Sequence, residues 1–259
     1  MKILVGIKHV PDTETQIKIG EDGRSIDEGG VKWVISPFDE YALEAALQLR
    51  DAGDVEVVAV GAGREASQST LRQALAIGAD RAVLINDERY EHCDALVRAM
   101  ALAAVVGAEQ PDLVLLGKYG VGSDEWQTGP MLGELLGWPH ASAISKFDLT
   151  GAGFVVHREV EGAVEVLEGR LPAVLTCEKG LNEPRYASLK GIMQAKKKPI
   201  EIKAPNELGL DTGLLDQPRL VWEGLELPPE RSGATLIDGD AQEAAAKLVR
   251  LLREEAQVI

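Results

Sequence analysis

Residues 3–7, Ile3-Leu4-Val5-Gly6-Ile7, form an apolar run without polar alternation, the pattern of a strand buried on both faces. The signature returns at residues 55–60, 82–85 and 113–116, and helical patterns lie between the runs. Ser36-Pro37 followed by Asp39 reads as an N-cap, a proline at the first helical position and a capping-box acid. Tyr41, Ala42, Ala45, Ala46 and Leu49 then share one apolar face that ends near Gly53. Residues 67–76 stop at Gly78, and residues 94–106 stop at Gly107. This β-α-β-α order predicts an α/β fold: a mostly parallel sheet with right-handed crossovers and helices on both faces. Ligands of such sheets bind beyond the carboxyl ends of the strands. Glycines gather there, in GIKH from Gly6, in GAGR from Gly61 and in the long loop from Gly117 to Gly129.

From about residue 144 the pattern changes. Residues 154–162, 164–167 and 173–177 read as antiparallel strands extending the sheet. After Pro199 a stretch punctuated by Pro and Gly runs to about residue 238, too polar for a core. Residues 241–256 then place Ala244, Ala245, Leu248, Leu251 and Leu252 on one helical face. The division expected is an α/β domain over residues 1–203 and a C-terminal arm with a helix over residues 204–259.

The composition narrows the function classes. With 45% apolar and 27% charged residues the chain is an ordinary folded protein. Its net charge of −15, from 27 basic and 42 acidic side chains, repels a phosphate backbone or an anionic membrane, so no nucleic-acid partner and no membrane insertion are expected. The exception is Lys196-Lys197-Lys198 before Pro199, either a solvated turn or a local docking patch. Two cysteines, Cys93 and Cys177, lack disulfide or metal spacing, which suits a reducing compartment. The apolar stretch after Met1 is too short for a signal segment or a membrane span, so a cytoplasmic protein is expected.

Residues 117–130, GKYGVGSDEWQTGP, are the strongest local feature. Gly117, Gly120, Gly122 and Gly129 let backbone approach a ligand. Ser123, Gln127 and Thr128 offer short polar groups, and Thr128 is placed to cap the helix that Pro130 begins. A helix N-terminus above the sheet welcomes an anion. Asp124 and Glu125 speak against clustered phosphates but suit a ribose or adenine hydrogen bond. The plain alternative is a glycine-rich βα loop without a ligand. Gly61-Ala62-Gly63 lacks the third glycine of a dinucleotide fingerprint, and no Walker lysine, GxSxG elbow or HExxH helix occurs. His9, His92, His140 and His157 are scattered, and no catalytic set emerges.

Longer stretches carry a resemblance. KILVGIKHVPD, SPFDEYALEAALQL, ALAIGADRAVLI, PDLVLLGKYGVGSDEWQTGPMLGELLGWP, HREVEG with LPAVLT, and LNEPRYASLKGIMQAKKKPIE resemble, in order and spacing, the beta subunits of electron-transfer flavoproteins. The resemblance spans roughly residues 1–203. It implies a Rossmann-like adenine-nucleotide-binding domain without turnover of its own, an electron carrier only as a heterodimer with an FAD-binding alpha subunit. It implies AMP held at Gly6, Ser36, Pro37, Phe38, Asp39, Ala62, Gly117, Val121, Gly122, Ser123, Asp124, Glu125, Trp126, Gln127 and Thr128. Arg158 and Glu159 would face the mobile flavin domain. Arg185, Tyr186, Leu189, Ile192, Met193, Lys196 and Lys197 would dock dehydrogenases, with Leu189 as anchor on a short loop. Electrons would pass on to a quinone oxidoreductase or similar acceptor. The family's aspartate run and NQTGQ are replaced here by Gly122-Ser123-Asp124-Glu125-Trp126-Gln127-Thr128-Gly129-Pro130. Pro130 occurs in electron-bifurcating relatives, which put a second FAD in the AMP pocket. Two further readings are a free-standing nucleotide sensor and an ATP pyrophosphatase; the latter lacks its SGGxDS-like loop after the first strand.

Overall fold

Lys2–Gly6 (β1) enters the structure as its central strand, and the computed structural model describes residues 1–151, 153–229 and 233–259. The further elements are β2 (His9–Pro11), β3 (Trp33–Ile35), α1 (Pro37–Ala52), β4 (Glu56–Gly63), α2 (Gln68–Ile77), β5 (Arg81–Asn86), α3 (Ala95–Glu109), β6 (Leu113–Gly117) and α4 (Thr128–Leu136). They continue with β7 (His140–Thr150), β8 (Gly153–Val160), β9 (Ala163–Arg170), β10 (Ala173–Cys177), α5 (Leu189–Ala195), β11 (Ile200–Lys203), α6 (Gly213–Asp216) and α7 (Ala241–Glu254). Among the described residues, nine strands form one sheet in the order β11-β5-β4-β1-β6-β10-β7-β8-β9, while β2 and β3 form a separate antiparallel ribbon. The α/β class, with a mostly parallel sheet, helices on both faces and an antiparallel extension, is as the sequence predicts.

The buried runs become the central parallel strands because each strand shows both faces to packed helices. Ile3, Val5, Val57, Ala59, Leu113 and Leu115 meet α1 and α2 on one side. Leu4, Val58, Val60, Val114 and Leu116 meet α3 and α4 on the other. Complete burial of a leucine or isoleucine side chain contributes on the order of 1.5–3 kcal/mol, so these alternating layers dominate the fold's stability.

Four readings need correction. Residues 173–177 are not part of the antiparallel extension: β10 is parallel to both β6 and β7 and lies between them. All five of its residues are buried, the mark of an interior parallel strand. The polar stretch after Pro199 begins with β11, which pairs in parallel with β5, and Pro205 and Leu215 within it are buried. Gly107 lies inside α3, which ends only at Gln110 in the left-handed conformation. Leu189 stands at the start of α5, whose cap is Ser188, accepting the Gly191 N–H at 3.0 Å.

Residues 1–224 make up one compact unit and residues 225–259 a second. Within the first, Asp94 caps α3 through the Val97 N–H at 3.0 Å, and its other oxygen accepts the Arg219 N–H at 2.6 Å. In the second, α7 is capped by Asp240, and none of its residues is buried. No described helix is long and apolar enough to cross a membrane.

Candidate functional site

The chain lays down β1, β4 and β5 in one direction and then returns to place β6 on the other side of β1. Because α1 and α3 pack on opposite faces, a crevice opens beyond the carboxyl ends of β1 and β6, where ligands of such sheets bind. Asp39, in the first turn of α1, sits in this crevice. Ser36 occupies the N-cap position, but its hydroxyl makes no cap bond and is buried without a partner. Nor does Asp39 close a capping box. One oxygen accepts the Lys8 N–H at 2.7 Å and the other the Gly117 N–H at 2.9 Å, so a single carboxylate ties the ends of β1 and β6 together. A Cβ on Gly117 would lie 2.5 Å from that carboxylate and 2.7 Å from the Phe38 backbone, which fixes glycine at this strand end. Burial pushes the Asp39 carboxyl up to about 7 despite the two amides.

Lys8 continues from β1 and runs beneath the long loop. Its ammonium donates to Ser123 Oγ at 2.5 Å, and its stem fills the space where a Cβ on Gly120 would stand. Burial, reinforced by the Arg98 guanidinium, lowers its pKa to about 8. Arg98 of α3 in turn donates to Glu125 at 3.0 Å. The loop is thus pinned from below by Lys8 and from the side by Arg98. Gly122, Asp124 and Trp126 all have left-handed backbone, at φ of 96°, 46° and 60°. For the two non-glycine residues this is a strained conformation that neighbouring contacts must hold.

Trp126 belongs to an aromatic cluster that the sequence does not announce. The Lys118 ammonium lies 4.7 Å from the Phe38 ring, 5.0 Å from Tyr119 and 4.5 Å from Trp126, and donates to Glu178 at 2.6 Å. Tyr119 bridges the other two rings, with centroids 4.5 Å from Phe38 and 5.0 Å from Trp126.

Beyond Trp126 the loop enters α4. The reading of Thr128 as a cap is corrected: Gln127 holds the N-cap position without a side-chain bond, and Thr128 is the first helical residue. Met131 donates the first N–H of the helix to a backbone carbonyl, that of Gln127. Pro130 has no N–H, so the amides of Thr128 and Gly129 are the ones this end offers to an anion. Gly129 packs against the Thr176 methyl, leaving no room for a side chain.

Gly6 and Ala62 lie at the ends of β1 and β4, and Val121 lies on the loop itself. The structure therefore gathers the expected contacts Gly6, Phe38, Asp39, Ala62, Gly117 and residues 121–128 along one edge of the sheet. Sequence reasoning passes over Lys8 and Arg98 and gives Lys118 and Tyr119 no role of their own within the loop, although Lys118 follows directly on β6 and Lys8 stands two residues beyond the end of β1. It also passes over a stack beside the crevice. His9 of β2 lies flat on Trp33 of β3, centroids 4.4 Å apart and 8° between planes, and Arg64 covers the Trp33 ring at 5.5 Å. His9 Nδ1 meets the Thr70 hydroxyl while its Nε2 is buried without a partner. Burial, helped by Arg64, holds the imidazole down at about 4.

The other expected residues lie elsewhere. Arg158 and Glu159 fall on β8, where Arg158 faces Glu165 across the β8–β9 pair at 3.4 Å. In the segment 182–198, Arg185 turns inward onto Glu44 and Asp51, and Asn182 donates to the Tyr41 carbonyl at 2.9 Å. Arg72 donates to the Ala195 and Lys198 carbonyls, and Lys198 reaches the carbonyls at the end of α2. Between these ties the segment presents Tyr186 (97% exposed), Leu189 (83% exposed), Ile192 and Met193 to solvent, flanked by exposed Lys196 and Lys197.

A crevice at a reversal of strand order, floored by glycines and closed by a βα loop, defines a doubly wound α/β protein. The family model described as the electron transfer flavoprotein domain matches residues 24–208. The chain is 40% identical over the full length of both chains to the electron transfer flavoprotein subunit beta of Bacillus subtilis. It is 38% identical, over 98% of each chain, to the human protein of that name. The electron transfer flavoprotein subunit beta of Bradyrhizobium diazoefficiens is likewise 40% identical over the full length of both. The chain belongs to the electron transfer flavoprotein family, in its beta-subunit branch.

Proposed function

We propose that this chain is the smaller subunit of a heterodimeric electron carrier, pairing with an alpha subunit that binds FAD and holding AMP as a structural ligand. The observation that carries this reading is how the crevice spends its charged groups. Its buried carboxylate, Asp39, is committed to two backbone amides, the Lys8 ammonium points at a serine hydroxyl, and the Lys118 ammonium is paired with Glu178. Lys8 and the uncapped amides of α4 suit a single phosphate, and Asp124 suits a ribose hydroxyl, whereas general-base chemistry needs a group free to take a proton. Binding then stabilises the fold by mass action.

The exposed ridge around Leu189 docks dehydrogenases, and Arg158 and Glu159 face the moving flavin domain. The arm with α7 covers its apolar stripe on the alpha subunit. Electrons leave to a quinone oxidoreductase or similar acceptor, and the complex works in the cytoplasm. Co-expression with an alpha subunit, purification, denaturation and quantification of the released cofactors test the reading. One FAD and one AMP per heterodimer are expected. Two FAD would replace AMP by a second flavin, as in bifurcating relatives with a proline at the position of Pro130. A stable colourless monomer that ignores the alpha subunit would favour a free-standing nucleotide sensor and overturn the proposal.

A further inference from the structure

Trp126 combines two costs that packing does not repay. The residue is 46% exposed although it is one of four tryptophans in the chain, and its backbone sits at φ 60°, a conformation that a bulky residue rarely adopts. Strain of this kind persists only where the surroundings impose it, and it gathers at ligand clamps. Here the imposing contacts are visible. Arg98 holds the preceding Glu125 at 3.0 Å, and Lys118 and Tyr119 hold the ring at 4.5 and 5.0 Å. The ring is fixed in place and left open.

Its position says what would cover it. Trp126 lies two residues before Thr128, whose amide begins the uncapped end of α4, and three after Ser123, which receives the Lys8 ammonium. A flat group lying on the ring therefore has the Lys118 ammonium 4.5 Å from the ring centre and, two residues further along the chain, a helix end that suits a phosphate. We propose that Trp126 is the base platform of the crevice: a purine stacks on its exposed face, while the ring is backed by the Lys118 ammonium and braced by Tyr119 and Phe38. This rests on the nucleotide reading above and adds to it the residue that recognises the base. Stacking of a base on an aromatic side chain is tolerant of base identity, so the platform selects a flat base over none, and the pocket's polar groups choose among bases.

The test uses the full-length chain, nucleotide removed, titrated calorimetrically with AMP and with ribose 5-phosphate, which keeps sugar and phosphate and lacks the base. Trp126→Ala is expected to weaken AMP about 5- to 150-fold, leaving ribose 5-phosphate unchanged. Trp126→Phe, which keeps a stacking face, restores most of the AMP affinity. Quenching of tryptophan fluorescence by AMP, present in the native chain and absent in Trp126→Phe, is the matching optical signature. Native-like AMP affinity in Trp126→Ala overturns the platform, as does equal loss of both ligands without rescue by Trp126→Phe. Loss of alpha-subunit assembly with AMP binding intact would assign the ring to the subunit contact and likewise overturn it. If the native chain takes up no AMP by titration or in the purified heterodimer, the nucleotide reading itself fails and the platform falls with it.

Discussion

Arg185 grips the carboxylate of Glu44 with two parallel hydrogen bonds, Nε to Oε2 at 2.7 Å and Nη2 to Oε1 at 2.9 Å, across 141 residues of sequence. The Glu44 side chain is only 5% exposed, and Asp51 takes the remaining guanidinium nitrogen at 2.8 Å. This fork fixes the near end of the segment that presents Leu189. Arg185→Ala strands a buried acceptor and should cost about 1–3 kcal/mol in a urea melt. Arg185→Lys should recover little of it, because an ammonium cannot reproduce the fork. Two variants as stable as the native chain would show the pair to be idle.

Leu189 should behave in the opposite way. An exposed leucine leaves no cavity when truncated, so Leu189→Ala should hardly move the melting temperature. If it is the docking anchor, dehydrogenase affinity measured by surface plasmon resonance should fall at least about tenfold, equivalent to about 1.4 kcal/mol. A sharp drop in melting temperature with unchanged affinity would refute the assignment.

Asp39 and His9 should give opposite pH slopes in one window. The folded pKa of Asp39 is raised from 3.8 to about 7, so its contribution is complete below about pH 4 and is lost as pH rises towards 7. The folded pKa of His9 is lowered from 6.5 to about 4, so its contribution is complete above about pH 6.5 and is lost as pH falls towards 4. Melting temperature against pH should therefore rise more steeply in Asp39→Asn than in the native chain, and less steeply or downward in His9→Gln. Asp39→Asn should also cost about 1–3 kcal/mol at the acid end of that window, a difference that shrinks as pH rises, because its NH2 faces one of the two amide donors. Parallel curves for all three proteins would contradict both placements.

Gly122 tests the loop. A Cβ there meets nothing within 4 Å, so space is not the constraint; φ of 96° is. Gly122→Val should distort the loop, lowering AMP content in the purified heterodimer well below stoichiometric while the melt of the sheet changes little. Full occupancy would move the nucleotide elsewhere.

The parts of this architecture that sequence reveals are those written in local pattern. Residues 3–7, 55–60, 82–85 and 113–116 are legible because burial on both faces leaves a largely apolar run, broken only by Glu56, and each run coincides to within a residue with a strand of the parallel sheet. The direction of β10 is not legible, since a buried strand looks the same whichever neighbour it joins. Asp39 satisfies a capping signature, yet the donors that claim it come from positions 31 and 78 residues away, beyond any local pattern. The Lys118 cluster and the His9–Trp33 stack fail to show for the same reason: each gathers residues that share no spacing. The ridge at Leu189 emerges through family resemblance, while its fastening by Glu44, Arg72 and Lys198 needs coordinates.

The order of the sheet bears on how the chain is made. When residue 117 has left the ribosome, β5, β4, β1 and β6 can already lie side by side, but β6 waits for residues 173–177 and β5 for residues 200–203 to complete its outer pairing. For the time it takes to translate those spans, the nascent chain carries two unpaired edges with apolar centres, Ala82 to Ile85 in β5 and Leu113 to Leu116 in β6, the kind of surface on which chains pair with one another. Translation products that stop between residues 117 and 172 should therefore self-associate or be held by chaperones, whereas products that extend past residue 203 have both edges closed.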